Sequence, residues 1–206
     1  MPTDLLRLVQ WLSPAFPTGG FAYSHGMEQA ITDGAVKDAA SAQAWIGDVL
    51  RIGAGWSDAV LLARARDGED LRDIARALAP SAERLRETEE QGAAFAATVT
   101  ALGVPVDPQP LPLAVAAASA TLDLTTVQVV ALFLHAFAGN LVACATRFVP
   151  LGQTQGQQVL QALHPVMADL AERAATAPLS AIASAAIAGD LAAMRHETLD
   201  VRIFKT

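Results

Sequence analysis

The stretch from Leu124 to Thr146, LTTVQVVALFLHAFAGNLVACAT, contains no charged residue. It is long enough to form a membrane-spanning helix. Gln128, His135 and Asn140 interrupt it, however, and it has neither flanking aromatic belts nor basic clusters. A helix that is packed on all sides by other helices is apolar all round for the same reason. The stretch therefore predicts a buried central helix around which the rest of the chain packs.

Helical patterns continue on both sides of this stretch. Asp38 can cap a helix that follows it, and a long helix is expected over Ser81–Leu102. Thr125 with Gln128 has the spacing of a capping box and marks the start of the central helix. No pair of strands is evident, so we predict an all-α single domain over residues 1–206, with about eight to ten helices.

Three features of the C-terminal half refine this prediction. Thr154 with Gln157 repeats the capping-box spacing, which predicts a helix over Thr154–Ala175. Pro178 suits the first turn of a further helix over Leu179–Ala188. Four prolines between residues 103 and 112 exclude a helix there and predict an ordered extended connector.

The composition excludes several classes of protein. Hydrophobic residues make up 52% of the 206 positions and charged residues 17%, which excludes disorder. A net charge of −7 argues against a nucleic-acid partner. The single cysteine fits a reducing cytoplasm, and no signal-peptide pattern opens the chain. The mixed charges between Arg64 and Glu90 are interpreted as a solvated helical face.

The segment Ser13–Glu28, SPAFPTGGFAYSHGME, is the most unusual connection in the chain. Its prolines exclude a continuous helix, and Gly19-Gly20 offers two positions where a positive φ is tolerated. A shaped, extended loop is therefore expected. It carries three aromatic residues and a polar group, which are Phe16, Phe21, Tyr23, Ser24, His25 and Glu28. Aromatic residues on such a loop either bind a protein partner or fill the core beneath it.

Catalytic signatures are absent from the sequence. Ser24 and His25 are adjacent, so their side chains point apart in either a helix or a strand. No nucleophile elbow, phosphate loop or dinucleotide fingerprint occurs. A small hydrolytic enzyme built on these two residues would need a third group and a concave pocket. A helical interaction protein is the better interpretation, and a membrane-associated helical protein is a further alternative.

The four histidines give no ligand pattern. None is paired with another histidine or with Cys144 at a ligand spacing. His135 is expected to be a satisfied core histidine, and His164 to lie at a kink before Pro165. His25 and His196 are better placed for transient contact with a metal or a partner. No stable metal site is expected.

The segment 13–28 and the C-terminal segment 201–206, VRIFKT, together closely resemble the UreF family of urease accessory proteins. Three intermediate segments occur in the order and spacing of that family: 57–59 (SDA), 87–92 (ETEEQG) and 150–154 (PLGQT). The resemblance therefore covers nearly the whole chain.

This resemblance implies an all-α, cytoplasmic protein that has no catalytic activity of its own and commonly forms a homodimer. It implies an adaptor that bridges the accessory protein UreD/UreH and the GTPase UreG. Such an adaptor modulates GTP-dependent nickel delivery to apo-urease. No cofactor would be bound stably, and nickel would be handled transiently within the complex.

The resemblance also assigns roles to individual residues. Structural positions of the loop motif are Pro14, Pro17, Gly19, Gly20 and Gly26. Partner-binding positions are Phe16, Phe21, Tyr23, Ser24, His25, Glu28, Arg147, Gln153, Arg202 and Phe204. Among these, Glu28, Arg147 and Gln153 are expected to make polar contacts toward the GTPase or the nickel route. Arg202 and Phe204 are expected to dock the tail against UreD or a second subunit.

Overall fold

The computed structural model describes residues 2–183 and 185–205, which form eleven α-helices and two 3-10 turns but no strand. Nine of the α-helices have nine or more residues, and two have six. The helices are α1 Pro2–Trp11, α2 Met27–Thr32, α3 Ala39–Ile52, α4 Ala54–Arg66, α5 Arg72–Ala77, α6 Ala82–Ala101, α7 Leu111–Ser119, α8 Thr126–Phe148, α9 Gln153–Ala162, α10 His164–Ala174 and α11 Ile187–His196. The 3-10 turns are Gly20–Ala22 and Leu179–Ala181. The predicted all-α class is confirmed.

Helix α8 is the centre of the fold, as its apolar sequence predicts. It packs against α2, α3, α4, α9 and α10. Val129, Val130, Leu134 and Ala138 on α8 are completely buried. In the described part of the chain, α8 is the helix that is long and apolar enough to cross a membrane, and half of its most apolar window is buried inside the fold. It is therefore a partly buried core helix.

Side-chain caps fix the starts of three helices where the sequence predicts them. Asp38 accepts a hydrogen bond from the Ser41 amide at 2.8 Å, and Ser81 accepts one from the Arg84 amide at 3.2 Å. Thr125 and Gln128 form the predicted capping box at the start of α8. These bonds satisfy amide groups that have no partner within the first helical turn.

The predicted helix over Thr154–Ala175 is wrong in its start and in its continuity. Helix α9 begins at Gln153, with Gly152 as its N-cap, and the Gly152 amide donates to Gln155 Oε1 at 3.0 Å. The proposed Thr154 and Gln157 capping box is therefore not formed. The chain then breaks at Leu163, and α10 starts at His164 because a proline follows it at a position where no amide donor is needed.

The predicted helix over Leu179–Ala188 is also wrong. Only a 3-10 turn forms at Leu179–Ala181, and α11 begins at Ile187. Tertiary hydrogen bonds stabilise the irregular backbone instead. The Trp56 indole donates to the Ala181 carbonyl at 2.8 Å, and the Ala185 and Ala186 amides both donate to the Ile52 carbonyl.

The proline-rich connector is non-helical up to Pro110 and lies close against α6. The predicted connector is two residues too long, because α7 begins at Leu111 and accepts Pro112 in its first turn. A Cβ atom placed on Gly92 of α6 would lie 1.9 Å from the Gln109 carbonyl oxygen. Only a glycine allows this approach of backbone to backbone. The close approach of the connector to α6 helps to position α6, which carries most of the buried charges described below.

Candidate partner-binding site

The segment between α1 and α2 is a series of turns rather than the extended loop that the sequence predicts. Gly19 has a φ of 73°, but Gly20 lies in the 3-10 turn and has no positive φ. Two further residues of this segment have a positive φ, namely His25 (54°) and Gly26 (72°). A Cβ atom on Gly26 would lie 2.6 Å from the Ala193 amide nitrogen, so Gly26 is required for the contact of α2 with α11.

Three side chains of α8 hold this loop by its backbone. Asn140 donates to the Tyr23 carbonyl at 3.0 Å, and the Cys144 thiol donates to the same oxygen at 3.4 Å. Arg147 donates to the Phe21 carbonyl at 3.1 Å. Because α8 is the central helix, these bonds connect the loop to the centre of the fold.

The three aromatic residues of the loop have different environments. Phe16 packs on Phe95 in the core, with ring centroids 5.6 Å apart, and Tyr23 is also buried. The Tyr23 hydroxyl donates to Glu90, and burial followed by this bond raises the pKa of Tyr23. Phe21 is 65% exposed. Of the three candidate anchors, Phe21 is therefore the one that a partner can contact directly.

A group of buried charged residues lies beneath the loop; we call it the loop network (His25, Arg84, Glu87 and Gln91). His25 Nε2 lies 2.7 Å from Glu87 Oε1, and Arg84 forms an ion pair with the other oxygen of Glu87. Gln91 donates to Glu87 at 2.9 Å. Burial and then the charge of Arg84 lower the pKa of His25, so its neutral ring donates from Nε2 to Glu87.

The loop network keeps Glu87 ionised. Burial acts to raise the pKa of Glu87, but Arg84 and His25 outweigh it and hold the pKa at about 2. Burial raises the pKa of Asp58 on α4 to about 6, although the charge of Arg84 opposes this. The prediction of a solvated face between Arg64 and Glu90 is wrong here, because Arg84 and Glu87 are buried as a pair.

A cavity of about 190 Å³ opens between the loop, α6 and α8. The polar part of its wall consists of His25, Asp58, Arg84 and Glu87. Phe21 lines the cavity on the side that the loop forms. The remaining wall includes aromatic residues of α1, α6 and α8. The cavity thus lies between a charged interior and an exposed aromatic side chain.

A second group, buried except for Arg202, joins α2, α6, α11 and the C-terminal tail; we call it the tail network (Glu28, Glu83, His196 and Arg202). His196 is completely buried, with Nδ1 2.8 Å from Glu83 and Nε2 3.0 Å from Glu28. Both contacts are hydrogen bonds when both ring nitrogens carry protons. Arg202 of the tail forms an ion pair with Glu83 at 2.6 Å.

Glu28 also binds the backbone of the tail. Its two oxygens accept hydrogen bonds from the Ile203 and Phe204 amides at 2.9 and 3.0 Å. Burial acts to raise the pKa of Glu28, but the bonds from His196 and these two amides outweigh it, and the pKa is lowered. Glu28 is therefore an internal anchor of the tail, and its carboxylate is buried.

The end of the tail is attached to the loop. The Lys205 amide donates to the Ala22 carbonyl at 2.7 Å, and the Lys205 ammonium binds Glu90 at 2.9 Å. Phe204 is 5% exposed and packs on Phe148, with ring centroids 5.2 Å apart. The tail thus packs on its own chain, whereas the sequence-based expectation places Arg202 and Phe204 against another protein.

The sequence-predicted site residues therefore divide into two groups. Buried are Phe16, Tyr23, Ser24, His25, Glu28 and Phe204. Exposed are Phe21, Arg147, Gln153 and Arg202, and among the motif prolines Pro14 and Pro17 are exposed as well. The buried group positions the loop and the tail, and the exposed group is available to a partner.

Two interpretations of histidines are reversed by the structure. His25 and His196 are not available for transient contact, because both are buried within networks. His135 is not a core histidine, since it is exposed on α8, and His164 at the start of α10 lies beside it with ring centroids 5.5 Å apart. Within residues 2–183 and 185–205, no group of three or more His, Cys, Asp or Glu side chains could hold a metal ion.

The sequence-based prediction missed several residues of the networks. Arg84 and Glu83 were not predicted as site residues, although Arg84 and Glu87 have the i,i+3 spacing of a helical ion pair. That spacing is equally typical of exposed helices. Only the positions of α2, α11 and the tail determine that these charges become buried.

The fold and the site together define an all-helical protein in which buried networks position an exposed surface on the loop and the tail. Comparison of sequences agrees with this class. The UreF family model matches residues 36–164. A urease accessory protein UreF from Cereibacter sphaeroides (strain KD131) is 66% identical over 210 residues, covering all of both chains. Those from Dinoroseobacter shibae and Paracoccus denitrificans are 52% and 50% identical, each over 98% of this chain and 98% and 95% of theirs.

The chain belongs to the UreF family of urease accessory proteins. Proteins of this family are non-catalytic chaperones, so the alternative of a small hydrolytic enzyme is rejected. In the structure, Ser24 accepts a hydrogen bond from the Glu28 amide at 3.2 Å, and the His25 ring binds Glu87. The family model starts after the loop and ends before the tail, but the alignments with the relatives span both.

Proposed function

We propose that this chain is an adaptor of urease maturation, which bridges UreD/UreH and the GTPase UreG. In this role it modulates GTP-dependent delivery of nickel to apo-urease. Nickel is cargo that the complex handles transiently, and the adaptor holds no cofactor stably. The protein acts in the cytoplasm as a homodimer, without binding nucleic acid or membrane.

The observation that carries this proposal is one surface formed by the two ends of the chain. We define the loop–tail surface as the exposed residues Phe21, Arg147, Arg202, Ile203 and Lys205. The Lys205 amide binds the Ala22 carbonyl, and Arg147 binds the Phe21 carbonyl, so the loop and the tail are held together. Phe21 and Ile203 are 65% and 68% exposed.

The composition of this surface supports binding to a protein. Aromatic and arginine side chains dominate the energetics of most protein interfaces. The buried loop and tail networks fix the backbone beneath them before any partner arrives. A partner therefore loses less free energy to ordering this surface than it would to ordering a mobile loop.

A reconstitution experiment tests the bridge. Size-exclusion chromatography with light scattering is run on this chain with UreD and UreG, with and without nucleotide. We expect UreG to join UreD only when this chain is present. The adaptor proposal is refuted if the folded chain elutes separately from both partners.

Single substitutions test whether the loop–tail surface makes the contact. Phe21→Ala and Arg147→Ala are each expected to weaken binding of one partner at least ten-fold, as interface anchors do. Leu102→Ala and Arg72→Ala are matched controls, because both side chains are exposed outside this surface. If the controls and the surface variants bind equally well, the partners contact another face.

A deletion strain tests the biological role. Loss of an adaptor for maturation leaves urease protein present but poor in nickel, so activity falls while the amount of urease is unchanged. Fractionation of the same cells tests the location, since a core helix such as α8 cannot enter a membrane without unfolding the protein. Recovery of the chain with membranes would contradict the proposed cytoplasmic location.

A further inference from the structure

Two histidines from different helices face each other on the surface of the molecule. His135 lies in the middle of α8 and His164 is the first residue of α10. Their ring centroids are 5.5 Å apart, with an angle of 41° between the ring planes. Both residues are exposed, and each is exposed on a helix whose opposite side packs in the core.

The rings are available as ligands. Within the described residues, neither ring makes a hydrogen bond or an ion pair. Imidazole nitrogens are common metal ligands in proteins, so both rings can each offer one nitrogen to an ion.

The separation of the rings fits one shared cation. A metal ion lies about 2.0–2.1 Å from a ligating imidazole nitrogen and therefore about 3.2 Å from the ring centre. If the two nitrogens subtend about 90–110° at the ion, the ring centres are about 4.5–5.2 Å apart. The observed 5.5 Å reaches this range through a small rotation of two exposed side chains.

We propose that His135 and His164 form an open two-imidazole site for a divalent transition-metal ion, with water at the remaining positions. The packing of α8 against α10 holds the two backbones at a fixed separation, so the second ligand binds at a high effective concentration. Imidazole ligands favour Cu²⁺ over Ni²⁺ and disfavour Mg²⁺ and Ca²⁺. The site takes one ion per chain and exchanges it readily, because only two protein ligands hold it.

This inference does not depend on the proposed adaptor function, since it is tested on the isolated chain. Tag-free protein at pH 7.5 is titrated calorimetrically with NiCl₂ and with ZnCl₂. We expect one ion per chain, and His135→Ala and His164→Ala are each expected to weaken binding at least about ten-fold. Gln161→Ala is the matched control, because it removes an exposed polar side chain of α9.

A spectroscopic measurement identifies the ligands directly. The electron paramagnetic resonance spectrum of the Cu²⁺ complex should show two coordinated nitrogens in the wild type and one in either variant. Circular dichroism confirms that both variants keep their helical content. The inference is overturned if both variants bind Ni²⁺ as tightly as the wild type. It is also overturned if only one of the two substitutions weakens binding, since a single imidazole would then be the ligand.

Discussion

Replacement of Glu28 by glutamine tests how the tail is held. The Glu28 carboxylate accepts hydrogen bonds from the Ile203 and Phe204 amides, one on each oxygen. Glutamine keeps the shape of the side chain but offers one acceptor oxygen in place of two. One of the tail amides would then face an NH₂ group, with which it cannot form a hydrogen bond.

The expected magnitude follows from the loss of one charge-assisted bond. A hydrogen bond to a charged group contributes about 1.5–3 kcal/mol. With a loss of about 2 kcal/mol, the equilibrium between the docked and the released tail shifts about 30-fold toward release. The core should be affected less, since Phe204 can leave it without unfolding a helix.

Hydrogen exchange at single amides measures this shift. We expect the amides of Ile203 and Phe204 to exchange about 30-fold faster in Glu28→Gln, while amides of α8 are unchanged. Glu89→Gln is the matched control, because Glu89 pairs with Arg76 at 3.0 Å on the surface. Such an exposed pair contributes less than about 1 kcal/mol, and no change in the tail is expected.

Two outcomes would refute this reasoning. Unchanged exchange of the tail amides in Glu28→Gln would mean that the packing of Phe204 and the Arg202 ion pair suffice to hold the tail. Faster exchange throughout the chain would mean that Glu28 stabilises the whole fold and not the tail in particular.

Three further predictions concern stability, measured by urea unfolding. Gly26→Ala should lower the free energy of unfolding by more than about 3 kcal/mol, because the new Cβ atom overlaps the backbone of α11. Gly19→Ala is the control, since there is open space around Gly19, and it should lower the free energy of unfolding by about 1–2 kcal/mol. Gly92→Ala should prevent stable folding, while Gly139→Ala on α8 should raise the free energy of unfolding by about 0.5–1 kcal/mol. The pKa of Asp58 is raised to about 6, so the folded state binds the Asp58 proton more tightly than the unfolded chain does. This proton binding stabilises the fold at low pH, and the stabilisation is lost as the pH rises through 6. Asp58→Asn should therefore be about 2–3 kcal/mol more stable than the wild type at pH 7.5 and equal to it below pH 4.

Local signals allowed much of the helical framework to be predicted. The starts of α3, α6 and α8 are fixed by side-chain caps, which act within one turn of the chain. The central position of α8 follows from its apolar composition alone. These features depend on residues that are neighbours in sequence, so no knowledge of the tertiary structure is needed to predict them.

Predictions failed for two reasons, a competing local cap in one segment and tertiary contacts in another. Thr154 and Gln157 have the spacing of a capping box, yet the helix begins one residue before Thr154 because Gly152 and Gln155 form the cap. The segment after Pro178 has alanines that favour a helix, but hydrogen bonds to the Ile52 carbonyl hold part of it in another conformation.

The roles of the charged and titratable residues could not be predicted from their order in the chain. The neighbouring residues in the sequence suggest that His196 is accessible to a partner. In the fold it is completely buried, because Glu28 and Glu83 approach it from two other helices. His135 looks like a core residue in an apolar helix, but it lies on the side of α8 that the neighbouring helices leave uncovered.

The attachment of the tail to Glu28 has a consequence for biosynthesis. The Glu28 carboxylate and the Phe204 amide that it binds are 176 positions apart in the chain. At a translation rate of about 5–20 residues per second, the ribosome needs roughly 9 to 35 seconds between making one and the other. Throughout that interval the loop between α1 and α2 lacks its hydrogen bond from the Lys205 amide, and Phe204 is not yet packed in place. A partner that recognises the loop–tail surface would therefore bind chains whose synthesis has passed residue 205 and would not bind shorter nascent chains.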